Sequence, residues 1–214
     1  VSRRKEDRVD PKMHVILPKS LDKTRKAPLL VVLHPWGGNM NETAEQWQKA
    51  ADEIGAILLA PQGTIRLAEG EYRWDEKIDL VEDDVLKAIS SVSRKHSVNE
   101  KRIVLAGFSQ GAWAGFGLAV RNPDMFCGVA AIAGDFDDDL ESAASGEDLS
   151  GMRVVIMVGK EDEPEILEAN RKAEKCFKRL GAKVRYTAYD NLAHEYPRSP
   201  NTELTRALEF ILND

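Results

Sequence analysis

A chain of 214 residues, 43% of them hydrophobic, has the length of one domain and the apolar side chains for a sizeable core, so a single unit over residues 1–214 is expected. A formal charge of −6 argues against a nucleic-acid partner, and no window approaches the roughly 18 to 20 uninterrupted apolar residues of a membrane span. The basic start Val1-Ser2-Arg3-Arg4-Lys5 leads into no apolar signal core, so the chain reads as soluble, either cytoplasmic or exported after removal of a leader; compartment and oligomeric state stay open.

In chain order, Met13–Leu17 stops at Pro18 and reads as an outer strand. Leu29–Leu33 is an unbroken apolar run, as a strand covered on both faces must be. Thr43–Ile54 places Ala44, Trp47, Ala51 and Ile54 on one helical face, with Thr43 and Gln46 spaced as a capping box. A second buried strand, Ala56–Ala60, is followed by a loop, Thr64 to Asp75, that carries Arg66, Tyr72, Arg73 and Trp74. Apolar residues at 78, 81, 85, 89 and 92 make Ile78–Val92 a helix, and Arg102–Phe108 is the next strand. The segment Ala112–Leu118 is apolar all round, which predicts a central, buried helix.

Gly128–Ala133 and Arg153–Val158 are two more buried strands, separated by Asp135–Asp148 with seven acids and no Lys or Arg. Asp137-Asp138-Asp139 lacks the Gly and Glu spacing of a calcium loop, so this stretch reads as a solvated surface excursion and no metal is expected. Pro164–Leu180 is a helix with Pro in its first turn and Gly181 at its end; Lys183–Tyr189 alternates as a second outer strand; Ser199–Leu212 closes the chain with Ser199 as cap and Pro200 just inside. Cys127 and Cys176 stand alone, without zinc-ligand spacing, and read as core residues. Strands alternating with helices imply right-handed β-α-β units, hence an α/β fold with a mostly parallel, doubly wound sheet and helices on both faces. Ligands then bind beyond the carboxyl ends of the strands.

The residues at those ends carry the chemistry. Ser109 follows the third buried strand within Gly107-Phe108-Ser109-Gln110-Gly111 and opens the buried helix, which is the strand-turn-helix setting of a nucleophile elbow. A serine hydroxyl needs a base and a carboxylate that orients the base. Of the four histidines, His14 is in an outer strand, His34 precedes the elbow and His96 ends a surface helix, whereas His194 alone follows the last strand. Among Glu161, Asp162 and Glu163, Asp162 is preferred because it lies in Gly159-x-x-Asp just ahead of a helix. Backbone N–H donors for an oxyanion are expected from Gln110 and from Trp36 in His34-Pro35-Trp36-Gly37-Gly38-Asn39. Trp36 and Tyr196, beside the expected donor and base, are candidate substrate-binding walls, and Trp74 is a third.

These residues resemble the α/β-hydrolase superfamily and, within it, the small lid-poor esterases of the phospholipase/carboxylesterase and polyhydroxybutyrate-depolymerase-like group. The likeness spans nearly the whole chain: Leu29–His34 with Gly37-Gly38 is similar to that group's oxyanion strand and loop, Gly107–Gly111 to its elbow, Gly159-x-x-Asp162 to its acid turn, and Asn191–Pro197 to its histidine loop. The departure is Pro35, where such enzymes usually carry Gly; proline has no N–H, which puts the shape of the oxyanion loop in question. The resemblance implies hydrolysis of a small-molecule carboxylic ester through an acyl-enzyme on Ser109, with no cofactor. The acidic excursion between Gly134 and Gly151 is too short for a greasy lid, which favours soluble or short-acyl esters over a lipase substrate. A thioesterase, peptidase or acyltransferase on the same residues, or a non-catalytic binding protein, are the competing readings.

Overall fold

The computed structural model describes residues 7–22 and 24–213; the basic start Val1–Lys5 lies outside them. In chain order the elements are β1 (Asp7–Arg8), β2 (Met13–Ile16), β3 (Ala27–Leu33), α1 (Met40–Glu53), β4 (Ile57–Pro61), β5 (Ile65–Ala68), β6 (Glu71–Arg73) and α2 (Ile78–Lys95). They continue with β7 (Val98–Phe108), α3 (Gln110–Arg121), β8 (Gly128–Ile132), α4 (Asp138–Ala143), β9 (Arg153–Gly159), α5 (Pro164–Arg179), β10 (Lys183–Tyr189) and α6 (Pro200–Leu212). Seven strands form one sheet in the order β10-β9-β8-β7-β3-β4-β2, parallel throughout except that β2 runs antiparallel to β4. The two strands with the weakest apolar character, β2 and β10, are its edges, since an edge strand needs less apolar surface than one flanked on both sides.

The central strands split their side chains between two cores because successive residues of a strand face opposite ways. Leu29, Val31 and Leu33 of β3 join Val81, Val85 and Ile89 of α2, Phe116 of α3 and Phe177 of α5. Leu30 and Val32 join Trp47 of α1 and Leu204 and Leu208 of α6 on the opposite side. The helices therefore cover both faces, and this is the α/β-hydrolase fold. Register ties the site together: Leu33 pairs with Gly107 and Phe108 with Ile132, so the ends of β3, β7 and β8 finish at one level.

Four local features differ from the sequence expectation. Helix α1 begins three residues before Thr43, because the Asn39 side chain accepts from the N–H groups of Asn41 and Glu42, and Gln62 Oε1 accepts from Met40 N–H at 3.0 Å. Residues 64–75 are not a plain loop: β5 and β6 form a hairpin around Glu69-Gly70, with Gly70 at a φ of +77°, and β1 adds a third strand. The acidic excursion contains a short helix, α4, whose Asp137 caps Leu140 N–H and whose Asp138 and Glu141 meet Lys172 of α5. Helix α6 starts at Pro200 as expected, but Ser199 makes no side-chain capping bond.

On the α3 side, Phe116, Phe136 and Phe177 close around one another, with ring centroids 5.6 to 6.0 Å apart. Phe177 is fully buried, so truncating it leaves a cavity that a packed core cannot refill. Phe177→Ala is expected to lower unfolding free energy by about 3–5 kcal/mol, measured by urea denaturation at neutral pH.

Candidate active site

Strand β7 ends at Phe108 and helix α3 begins at Gln110, leaving Ser109 alone in the turn with φ 54° and ψ −121°. That left-handed backbone is costly for a residue with a Cβ, and it persists because the surroundings hold it. Ser109 N–H donates to Ile132 O at 2.9 Å, and Ser109 O accepts from Ala112 and Trp113 N–H at 2.9 and 3.1 Å. A methyl on Gly107 would come within 2.4 Å of the Gly111 backbone, and one on Gly111 within 2.0 Å of Leu33 O. Those contacts are why glycine stands two positions either side of the serine.

His194 reaches over the sheet from the loop after β10. Its Nδ1 lies 3.0 and 3.1 Å from the two carboxylate oxygens of Asp162, and its Nε2 lies 2.9 Å from Ser109 Oγ. A carboxylate only accepts, so Nδ1 carries the proton and a neutral ring leaves Nε2 to accept from the serine hydroxyl. The Asp162 side chain is fully buried whereas that of His194 is 38% exposed, so the carboxylate is shielded and the ring faces the cleft. Glu163 N–H donates to Asp162 Oδ1 at 2.8 Å and fixes the carboxylate. Gly159 sets the spacing of the two turns: a methyl there would meet Leu192 O at 2.0 Å and Ala193 O at 2.4 Å, so only glycine lets the histidine loop lie against the end of β9. Behind His194, the Phe108 ring sits 5.0 Å from the imidazole and 4.9 Å from Tyr196.

The loop after β3 turns over Pro35–Gly38, with Gly38 N–H donating to Pro35 O at 3.0 Å and Gly37 at φ +76°. Gly37 N–H is engaged by Tyr72 O at 2.9 Å. Among the described residues nothing accepts from Trp36 N–H, and Gln110 N–H, at the first position of α3, has no intrahelical acceptor. Proline at position 35 has no N–H of its own, so it does not compete with the Trp36 donor. His34, fully buried, organises the loop from beneath: Nδ1–H donates to Pro35 O at 2.8 Å, while Nε2 accepts from Gly63 N–H at 2.8 Å and Gln62 Nε2 at 3.0 Å. Burial pulls the His34 pKa down to about 4, against a smaller opposing effect of its bond to Pro35.

A cleft of about 410 Å³ opens over Ser109, walled by Trp36, Trp113 and Ile166 and edged by Glu76, Asp135 and Asp137. Trp36, 55% exposed, is one of its walls. Two other expected wall residues are not. Trp74 is only 1% exposed: its indole Nε1–H donates to His34 O at 2.8 Å and its ring stacks on His34 at 4.9 Å, because a buried indole N–H must find an acceptor. Tyr196 packs on Phe108 behind the histidine, and burial pushes its hydroxyl pKa up to about 12. The sequence reading missed Trp113, which lies one helical turn after Ser109 and so shares its side of α3; that spacing was the available signal. Its Nε1–H donates to Asp137 Oδ2 at 2.9 Å. The sequence places His34 at the end of a buried strand but not its role as a hydrogen-bonding centre, because its partners Gln62 and Gly63 lie 28 and 29 residues away. Among the described residues no group of His, Cys, Asp or Glu is arranged to hold a metal ion, and no helix is long and apolar enough to cross a membrane.

A serine in a strained turn between a buried strand and helix, at the carboxyl edge of a seven-stranded sheet of this order, defines the class as α/β-hydrolase. Residues 69–213 match the phospholipase/carboxylesterase family, and the chain belongs to it. The chain is similar to the putative esterase NocK of Nocardia uniformis subsp. tsuyamanensis, 33% identical over 115 residues, which is 50% of this chain and 33% of that protein. It is also similar to feruloyl esterase B of Thermothelomyces thermophilus, 31% identical over 132 residues, 57% of this chain and 43% of that one. The chain spans less than half the length of these curated relatives. In fold it is similar to the crystal structure of esterase PE8, with a TM-score of 0.78 and 17% identity over 95% of this chain and 100% of that one.

His34 makes stability depend on pH. Above its ordinary value of 6.5 the ring is neutral folded or unfolded; between 6.5 and about 4 only the unfolded chain takes up the proton, so stability falls as pH falls through that window. The full shift corresponds to a loss of about 3 kcal/mol. Urea unfolding from pH 7 to pH 4 should show that loss in the wild type and a correspondingly flatter dependence in His34→Gln.

Proposed function

We propose that the protein hydrolyses carboxylic esters through an acyl-enzyme on Ser109. The observation that carries this reading is the unbroken contact from buried Asp162 through His194 to Ser109 Oγ, with bonds of 3.0 and 2.9 Å, in an open cleft. As Ser109 Oγ attacks the ester carbonyl carbon, its proton passes to His194 Nε2, and the imidazolium so formed is stabilised by the Asp162 carboxylate. Negative charge collects on the former carbonyl oxygen. The free N–H groups of Trp36 and Gln110 are the donors for it, aided by the N-terminal end of α3. The tetrahedral species collapses as His194 returns the proton to the leaving alcohol, and the acyl group stays on Oγ. A water then gives a proton to His194 Nε2 and attacks the acyl carbon; collapse frees the acid and restores the serine hydroxyl.

The cleft supports a small ester as substrate. It is about 410 Å³, and the segment where a lid would sit is a six-residue helix with an acidic first turn, not an apolar cap. The names of two similar proteins, an esterase and a feruloyl esterase, agree with ester chemistry.

Ser109→Ala should abolish hydrolysis of p-nitrophenyl acetate and labelling by a fluorophosphonate probe while the protein stays folded. Retention of most of the activity would refute the serine mechanism. Asp162→Asn should lower kcat by about 10³- to 10⁴-fold, because an amide no longer holds the imidazole in the required tautomer.

A further inference from the structure

We propose that the side chain of Gln110 is a positioning residue for the oxyanion hole, acting through Trp74 and His34 to hold the Trp36 N–H at a set distance from the Gln110 N–H. The inference rests on the esterase reading above. Gln110 uses both ends of its amide on the main chain of one distant residue: Oε1 accepts from Trp74 N–H at 3.0 Å and Nε2 donates to Trp74 O at 3.2 Å. Arg73 Nη1 donates to the same carbonyl at 2.9 Å. From Trp74 the connection runs into the oxyanion loop, since its indole donates to His34 O at 2.8 Å, and His34 Nδ1 donates to Pro35 O at 2.8 Å. Pro35 O also accepts from Gly38 N–H and so closes the turn that carries Trp36. On the outer side, the Arg73 guanidinium lies 5.0 Å over the Trp36 ring.

The two expected donors come from separate elements, Gln110 from the start of α3 and Trp36 from the loop after β3. Their separation is set wherever those elements are tied together. Pro35 supplies no N–H, and the Gly38 and Gly37 N–H groups are engaged by Pro35 O and Tyr72 O. Within the Pro35–Gly38 turn, among the described residues, that leaves Trp36 as the N–H without a partner, and neither glycine is available to replace it if it drifts. A displacement near 1 Å in such a site can cost about 100-fold in rate, so a tie between the two donors bears on kcat more than on substrate affinity.

The test uses the full chain with p-nitrophenyl acetate as substrate and an alkyl trifluoromethyl ketone as transition-state analogue. Gln110→Met keeps the length and removes both bonds to Trp74; Trp74→Phe keeps an aromatic ring, though a smaller one, and removes the bond to His34. For each, kcat is expected to fall by about 10- to 100-fold, with KM within about twofold, and analogue affinity should fall in proportion to kcat/KM. The double variant should lose little beyond the larger single loss, because both substitutions break one connection. The proposal is overturned if Gln110→Met keeps its kcat and its analogue affinity, if the loss appears in KM alone, or if the two losses multiply. Should Trp74→Phe not fold, Gln110→Met with the analogue decides the question. A wild-type protein that neither turns over esters nor reacts with a fluorophosphonate would refute the esterase reading itself, before any variant is compared.

Discussion

Gly111 lies so close to the end of β3 that a methyl group on its Cα would stand 2.0 Å from Leu33 O, inside any allowed contact. That backbone-to-backbone approach draws the first turn of α3 against the strand whose continuation is the loop His34–Gly38. It therefore sets Ser109, the N-terminal end of α3 and the Trp36 turn beside one another. The companion contact, Gly107 against Gly111, folds the chain sharply enough to force Ser109 to a φ of 54°. The strain is held because Ser109 N–H and O are both bonded and because β7 and α3 are buried among the largest apolar residues of the chain.

The remaining groups follow from the same economy of space and polarity. Gly159 does for the histidine loop what Gly111 does for the elbow, letting the carbonyls of Leu192 and Ala193 rest against the end of β9. Asp162 is buried yet held by a backbone N–H and by the imidazole, so its carboxylate is not stranded in an apolar setting. His34, equally buried, solves the problem the other way: burial keeps it neutral, and a neutral ring can both donate to Pro35 and accept from Gly63 and Gln62. A hairpin, β5 and β6, clasps the loop after β3 from outside through Tyr72 and Arg73, so this loop is gripped on both sides.

Much of the fold was legible in the sequence, and for stated reasons. A strand covered on both faces has to be apolar at every position, so Leu29–Leu33 and Arg153–Val158 announce themselves, and the alternation of Lys183–Tyr189 marks an edge. The hairpin at residues 65–73 was not legible, because Ile65–Ala68 has one buried residue and three exposed ones and is held by pairing with β6 and β1 instead of by a core. The early start of α1 was hidden for a similar reason: Asn39 competes with Thr43 as a cap, and the bond from Met40 N–H to Gln62, 22 residues away, favours the earlier start.

At the site, the sequence by itself determined the residue types and their order: a serine flanked by glycines two positions away, an acid after Gly159, a histidine after the last strand, and the helices and strands that carry them. Those features are written in short-range patterns, the periods of strand and helix and the absence of a Cβ where backbones meet. Only the tertiary structure decided which side chains face the cleft. Trp36, Trp74 and Tyr196 look alike as exposed-loop aromatics, yet Trp74 turns inward because its indole N–H finds His34 O, Tyr196 packs behind Phe108, and Trp113 of an apolar helix turns out to line the cleft. Orientation depends on partners far away in the chain, and such partners leave no local mark in the sequence.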